Sequence, residues 1–148
     1  MRKTFALILF ATLLLAGCTK QYVTEETIIQ GSTMTFVDFT VKSNQWQLDD
    51  VSGFFMAWLS VPEITQDVLD KGAIGVSRRL WDNSGQTYWT PLPIVRAEQD
   101  VVDGSDYLFS TYIDYEWTVG NVYIYVTATD FYTGDVPEEM SFRVTIIQ

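Results

Sequence analysis

From residue 36 onward the chain alternates apolar and other side chains with a period of two. Val37, Phe39 and Val41 share one phase, with Phe36, Asp38 and Thr40 between them, and Phe54, Met56 and Trp58 interleave with Phe55, Ala57 and Leu59. Val122, Ile124 and Val126 interleave with Tyr123, Tyr125 and Thr127, and Phe142, Val144 and Ile146 with Arg143, Thr145 and Ile147. A strand points successive side chains to opposite faces, so each run predicts a half-buried strand. Ala73 to Trp81, Gln86 to Thr90 and Asp106 to Tyr112 add β-branched and aromatic candidates, and Tyr22 to Gln30 can already be a strand. Asp82-Asn83-Ser84-Gly85 reads as a hairpin turn with the glycine at positive φ. One short helix is predicted over Gln66 to Lys71, capped by Thr65 and closed by Gly72, with Ile64, Val68 and Leu69 facing inward. About seven strands predict an all-β fold: a single β-sandwich, with an immunoglobulin-like topology as one arrangement and a closed barrel as the alternative. Trp58 and Trp117 are expected in its core.

The first residues have a different pattern. Arg2 and Lys3 precede an eleven-residue run, Phe5 to Leu15, that is apolar except for Thr12, and Ala16 and Gly17 lead to Cys18. Such a run spans about 16 Å as a helix, half a bilayer core, which is the length of an export signal and too short for a transmembrane anchor. Leu15-Ala16-Gly17-Cys18 resembles the bacterial lipobox. That resemblance implies a diacylglycerol thioether on Cys18, cleavage before it, and palmitate among the acyl chains. Each buried methylene contributes about 0.8 kcal/mol, so two or three chains anchor a protein durably where one does not. The expected organisation is a cleaved lipoprotein signal peptide at 1–17, a lipidated tether at 18–26 and a β-sandwich domain at 27–148. Thr19 in place of aspartate favours the outer membrane by the sorting rule of Gram-negative lipoproteins. The periplasmic and cell-surface faces both stay open, because Glu25 and Glu26 lie seven and eight residues after the cysteine.

Composition then narrows the chemistry. The 148 residues include no histidine and one cysteine, so Ser-His-Asp and Cys-His catalytic pairs, histidine-ligated zinc and an intramolecular disulfide are excluded within this polypeptide. The formal charge is -10; losing Arg2 and Lys3 with the leader leaves 131 residues with 7 basic against 19 acidic side chains, or -12. Nucleic acid is not expected as a partner, because binding phosphates needs a basic footprint. The expected partners are the membrane, through the lipid, and an envelope protein or glycan.

Three constellations are candidate sites. Trp89-Thr90-Pro91-Leu92-Pro93 ends a strand with two prolines, and Trp89 is either a stacking platform or part of a packed corner. Tyr123 and Tyr125 sit on the non-core phase of their strand, where with Trp89 they form a candidate ligand-binding set for sugar C–H faces; aromatics also fill sandwich cores. Asp100, Asp103 and Asp106, near Glu98, form an acidic loop bent by Gly104. It is a weak calcium candidate whose spacing is not that of an EF-hand, and a solvated loop blunting a sheet edge is the alternative. No cofactor is expected beyond the covalent lipid.

The lipobox, an early F-x-V strand leading to Trp46, Pro62-Glu63-Ile64-Thr65 before a glycine, the W-T-P-L-P segment and the closing Phe142-Arg143-Val144-Thr145-Ile146-Ile147 together resemble a family of small uncharacterised envelope lipoproteins of Gram-negative bacteria. The resemblance covers nearly the whole mature chain and implies no activity or site residues. The functional expectation is a non-enzymatic binding module for an envelope component or glycan. A structural subunit acting by strand addition through Phe142 to Ile147, or a carboxylate-dependent hydrolase, are the alternatives. Cys18→Ala is expected to abolish palmitate incorporation and leave the leader uncleaved; labelling equal to wild type would overturn the anchor.

Overall fold

The computed structural model describes residues 20–21, 27–29, 31–102, 104–129 and 133–148. The leader, Cys18, most of the tether and Asp103 lie outside the described residues. In chain order the strands are β1 (Lys20–Gln21), β2 (Thr27–Ile29), β3 (Ser32–Val41), β4 (Gln47–Asp49), β5 (Phe54–Ser60), β6 (Ala73–Trp81), β7 (Thr87–Pro91), β8 (Ile94–Val102), β9 (Ser105–Thr118), β10 (Asn121–Ala128) and β11 (Met140–Ile147), with one helix, α1 (Gln66–Lys71), between β5 and β6. They form two antiparallel sheets. The first has the order β1-β3-β11-β6-β7, with β2 also pairing β3; the second has the order β4-β5-β10-β9-β8. The architecture is an all-β sandwich and not a closed barrel.

The period-two phases decide what lies between the sheets. Val37, Phe39 and Val41 of β3, Val76 of β6 and Phe142, Val144 and Ile146 of β11 meet Phe55, Ala57 and Leu59 of β5 and Val122, Ile124 and Val126 of β10 in one buried cluster. At the sequence level β5 is ambiguous, since both of its phases are apolar. The structure turns Phe55, Ala57 and Leu59 inward and leaves Trp58 59% exposed, so Trp58 is not a core residue. Trp117 is partly buried against the cluster, and Trp46, from the loop after β3, is buried with its indole edge-on to Phe142.

The helix closes one end of the sandwich. Thr65 Oγ1 accepts the Val68 N–H at 3.3 Å, and Ile64 and Val68 are fully buried while Leu69 is exposed, contrary to its expected inward position. Six residues turn 100° each, so Leu69 is carried off the narrow apolar stripe that Ile64 and Val68 define. Gly72 is required by space: a Cβ there would stand 2.6 Å from the Ile147 carbonyl oxygen and 2.8 Å from that of Val68. The expected hairpin at 82–85 is present, with Gly85 at φ 82.

The W-T-P-L-P segment is a packed corner. Trp89 points out of the first sheet, whereas Leu92 is buried and donates its N–H to the Val76 carbonyl at 2.8 Å, after which the chain crosses to β8 in the second sheet. β11, the strand expected to offer itself for strand addition, is paired on both sides, with β3 and with β6. Its backbone donors and acceptors are thus already engaged within the sheet. Trp46→Ala is expected to cost about 3–5 kcal/mol in chemical denaturation and Trp58→Ala less than about 1 kcal/mol; similar losses for both would contradict the assignment of Trp58 to the surface.

Candidate functional site

The outer face of the second sheet gathers aromatic and acidic side chains by register alone. Tyr123 of β10 lies between Trp58 of β5 and Glu116 of β9, and Tyr125 lies between Met56 and Asp114. The Trp58 indole Nε1–H donates to Asn121 Oδ1 at 2.8 Å, which holds the ring by its polar edge, and Asn121 Nδ2 donates in turn to the Val119 carbonyl at 3.2 Å. The Tyr125 hydroxyl donates to Glu116 Oε2 at 3.0 Å, and its ring meets Phe54 edge-on at 5.3 Å between centroids. Partial burial, and then the neighbouring Glu116 carboxylate, push the Tyr125 phenol up to about 12.

The face is not flat at its far side. β8 begins at Ile94, opposite Ile113, so residues 114–118 of β9 have no strand beyond them. The Tyr115 N–H is taken by Asp114 Oδ1 at 2.7 Å, and Pro93 has no N–H to offer. The step leaves an open depression of about 750 Å³ lined by Pro93, Asp114, Glu116, Thr118, Tyr123 and Tyr125 among others. It joins apolar ring surface to two carboxylates on rigid strands.

Trp89 does not belong to this face. It projects from the first sheet, where the Arg143 guanidinium stands 4.5 Å from its ring centroid and 5.2 Å from that of Phe36. Arg143 also holds Asp38 in a forked pair, Nε to Oδ1 at 2.7 Å and Nη2 to Oδ2 at 2.8 Å. One face of the Trp89 ring is therefore spent on an intramolecular cation–π contact. The expected set of Trp89, Tyr123 and Tyr125 is divided between two opposite surfaces.

The acidic loop is divided as well. Asp100 is paired with Tyr107 and Asp106 with Val101, adjacent positions that point to opposite faces of the β8–β9 hairpin. Asp100 Oδ1 accepts the Val101 N–H at 2.7 Å, an exposed edge contact. Among the described residues no group of three or more acidic or cysteine side chains is placed to hold a metal ion.

Asn121, Asp114 and Glu116 were not singled out in the sequence, and Trp58 was expected in the core. The alternation Ile113, Asp114, Tyr115, Glu116, Trp117 would have put both acids on the outer phase, had the strand been extended past Tyr112. No protein-family model, curated protein or solved structure matches the chain.

Alkaline titration followed by tyrosine absorbance checks the Tyr125 environment. Its phenol ionises near 10 when unfolded and near 12 when folded, so its contribution to stability is complete below pH 10 and is lost as the pH rises from 10 to 12. Glu116→Gln is expected to move this ionisation part of the way back toward 10, because burial, the larger cause, remains. No late-ionising tyrosine in the wild type would contradict the geometry.

Proposed function

We propose that the chain is a lipid-anchored, non-enzymatic binding module of the Gram-negative outer membrane, and that the outer face of the second sheet takes a glycan. The observation that carries this reading is the exposed Trp58 indole, fixed by Asn121 and in register with Tyr123 and Glu116. A sugar ring offers an apolar C–H face to an aromatic ring and hydroxyl donors to carboxylates. Trp58 with Tyr123 supplies the first, Asp114 and Glu116 the second. Strand-borne aromatics with few rotatable bonds lose little entropy when they bind, which favours a shallow platform over a deep cleft.

The anchor rests on Arg2, Lys3, the Phe5 to Leu15 run and the lipobox ending at Cys18. A mature charge of -12 keeps such a domain off anionic headgroups and leaves neutral envelope polysaccharide the better match. Isothermal titration of the mature protein against fractionated envelope polysaccharides is the test. Binding by the wild type with at least a ten-fold loss in Trp58→Ala, at unchanged melting temperature, is the expected result. Absence of any retained glycan, or equal affinity in the variant, would overturn the reading.

A further inference from the structure

The end of the sandwich opposite α1 is open. There both sheets run past the common core: the β6–β7 hairpin extends from the first, and the β8–β9 hairpin extends from the second beyond Thr111, the last β9 residue paired with β10. Under the β8–β9 overhang, facing Arg78 and Met140 of the first sheet and bounded also by the segment 135–138, is a cavity of about 760 Å³. That is the size of an ordinary small-molecule site, and its walls include Phe55, Phe109, Val126 and Met140.

Arg78 is the unexpected member of its lining. It occupies an inward position of β6 between Val76 and Leu80 and is only 8% exposed. Among the described residues its Nε has no hydrogen-bond partner and its one ion pair is long, Nη2 to Glu138 Oε1 at 3.4 Å. Glu138 is itself 79% exposed, so water screens that pair. A guanidinium withdrawn from water is costly unless charge-assisted hydrogen bonds replace its hydration, and here they are incomplete. Burial accordingly lowers its pKa, with the Glu138 charge only partly opposing this.

The surroundings define what would complete the site. Glu98, Asp100, Asp135 and Glu138 also line the cavity, and the rings of Tyr107 and Phe109 stack at 6.3 Å within it. Glu98 is partly offset by Arg96, whose Nε stands 3.8 Å from its Oε1, but a simple anion on Arg78 would still face the carboxylates of Asp100, Asp135 and Glu138. A simple cation would leave Arg78 as it is. A ligand that carries both charges satisfies both requirements.

We propose that this cavity binds a small zwitterion, its anionic end on Arg78 and its ammonium end among Glu98, Asp100 and Glu138 against the Tyr107 ring. The site is independent of the glycan face: it lies between the sheets at one end, while Trp58 and Tyr123 point out of the second sheet. Two sources share this chemistry, a lipid headgroup with a phosphate ester and a free amino acid with a carboxylate.

Binding of phosphoethanolamine and of glycine to the mature full-length protein, measured by titration calorimetry, tests the site, with inorganic phosphate, acetate, ethanolamine and glucose as controls. At least one zwitterion is expected to bind ten-fold or more tightly than every control, phosphoethanolamine if the source is a headgroup and glycine if it is an amino acid. Arg78→Met is expected to abolish that binding while the unliganded variant melts at the same or a higher temperature, because an unsatisfied buried charge is replaced by a matching apolar chain. Should that variant not fold, Asp100→Asn, an exposed change, is expected to weaken the zwitterion at least three-fold. Failure of both zwitterions to bind, a control binding as well as they do, or undiminished binding in the variants would overturn the proposal.

Discussion

Everything in this sandwich depends on the register of β11. It is the central strand of the first sheet, and Phe142, Val144 and Ile146 are almost wholly removed from water between β3 and β6. Each such side chain contributes about 1.5–3 kcal/mol on burial. A slip of one residue would exchange them for Arg143 and Thr145 and bring a charged guanidinium into the core, so the pairing is strongly specified. The same register sets Arg143 beside Asp38 and Ser77 on the outside, where it finds its forked carboxylate and two aromatic rings.

The two outer faces are consequently unlike. On the first sheet Arg143 engages Phe36 and Trp89, and the Arg79 guanidinium stands 5.7 Å from the ring centroid of Trp81, which is itself 55% exposed. On the second sheet the aromatics meet carboxylates and an amide, and the indole of Trp58 keeps more than half its area in water. The edge blunting differs too. β8 turns Arg96, Glu98 and Asp100 to its inner side and Val95 and Val101 to its outer side, which is the reverse of what a core-covering strand does. That inversion is possible because this stretch overhangs the core and borders the end cavity.

The two ends divide the work of the domain. At one, Val68 of α1 and Ile64 of the turn before it seal the apolar layer, and Gly120 is tied to that turn by backbone bonds with Val61 and Ile64 at 2.8 Å. At the other, the core gives way to Arg78, acids and aromatics around an open volume. Burying an arginine whose ion pair is long and screened by water works against stability, a cost that the proposed ligand would offset.

Much of this was legible from local rules. The alternation of β3, β10 and β11 marks their inward residues directly, and Thr65, Gly72 and Gly85 mark the helix and a hairpin, because caps and turns are short-range physics. Other features were not. β8 was invisible as a strand because its inward phase is charged, and the phase of β5 was undecidable because Phe54, Phe55, Met56, Ala57, Trp58 and Leu59 are all apolar. Only pairing with β10 turned Trp58 outward and set it beside Tyr123. By itself the sequence determined the fold class, the short-range elements and the chemistry that the lack of histidine rules out. The tertiary structure alone decided which aromatics are exposed, that Trp89 stands apart from Tyr123 and Tyr125, and that Arg78 is buried, because each of these depends on which strands become neighbours across long stretches of chain.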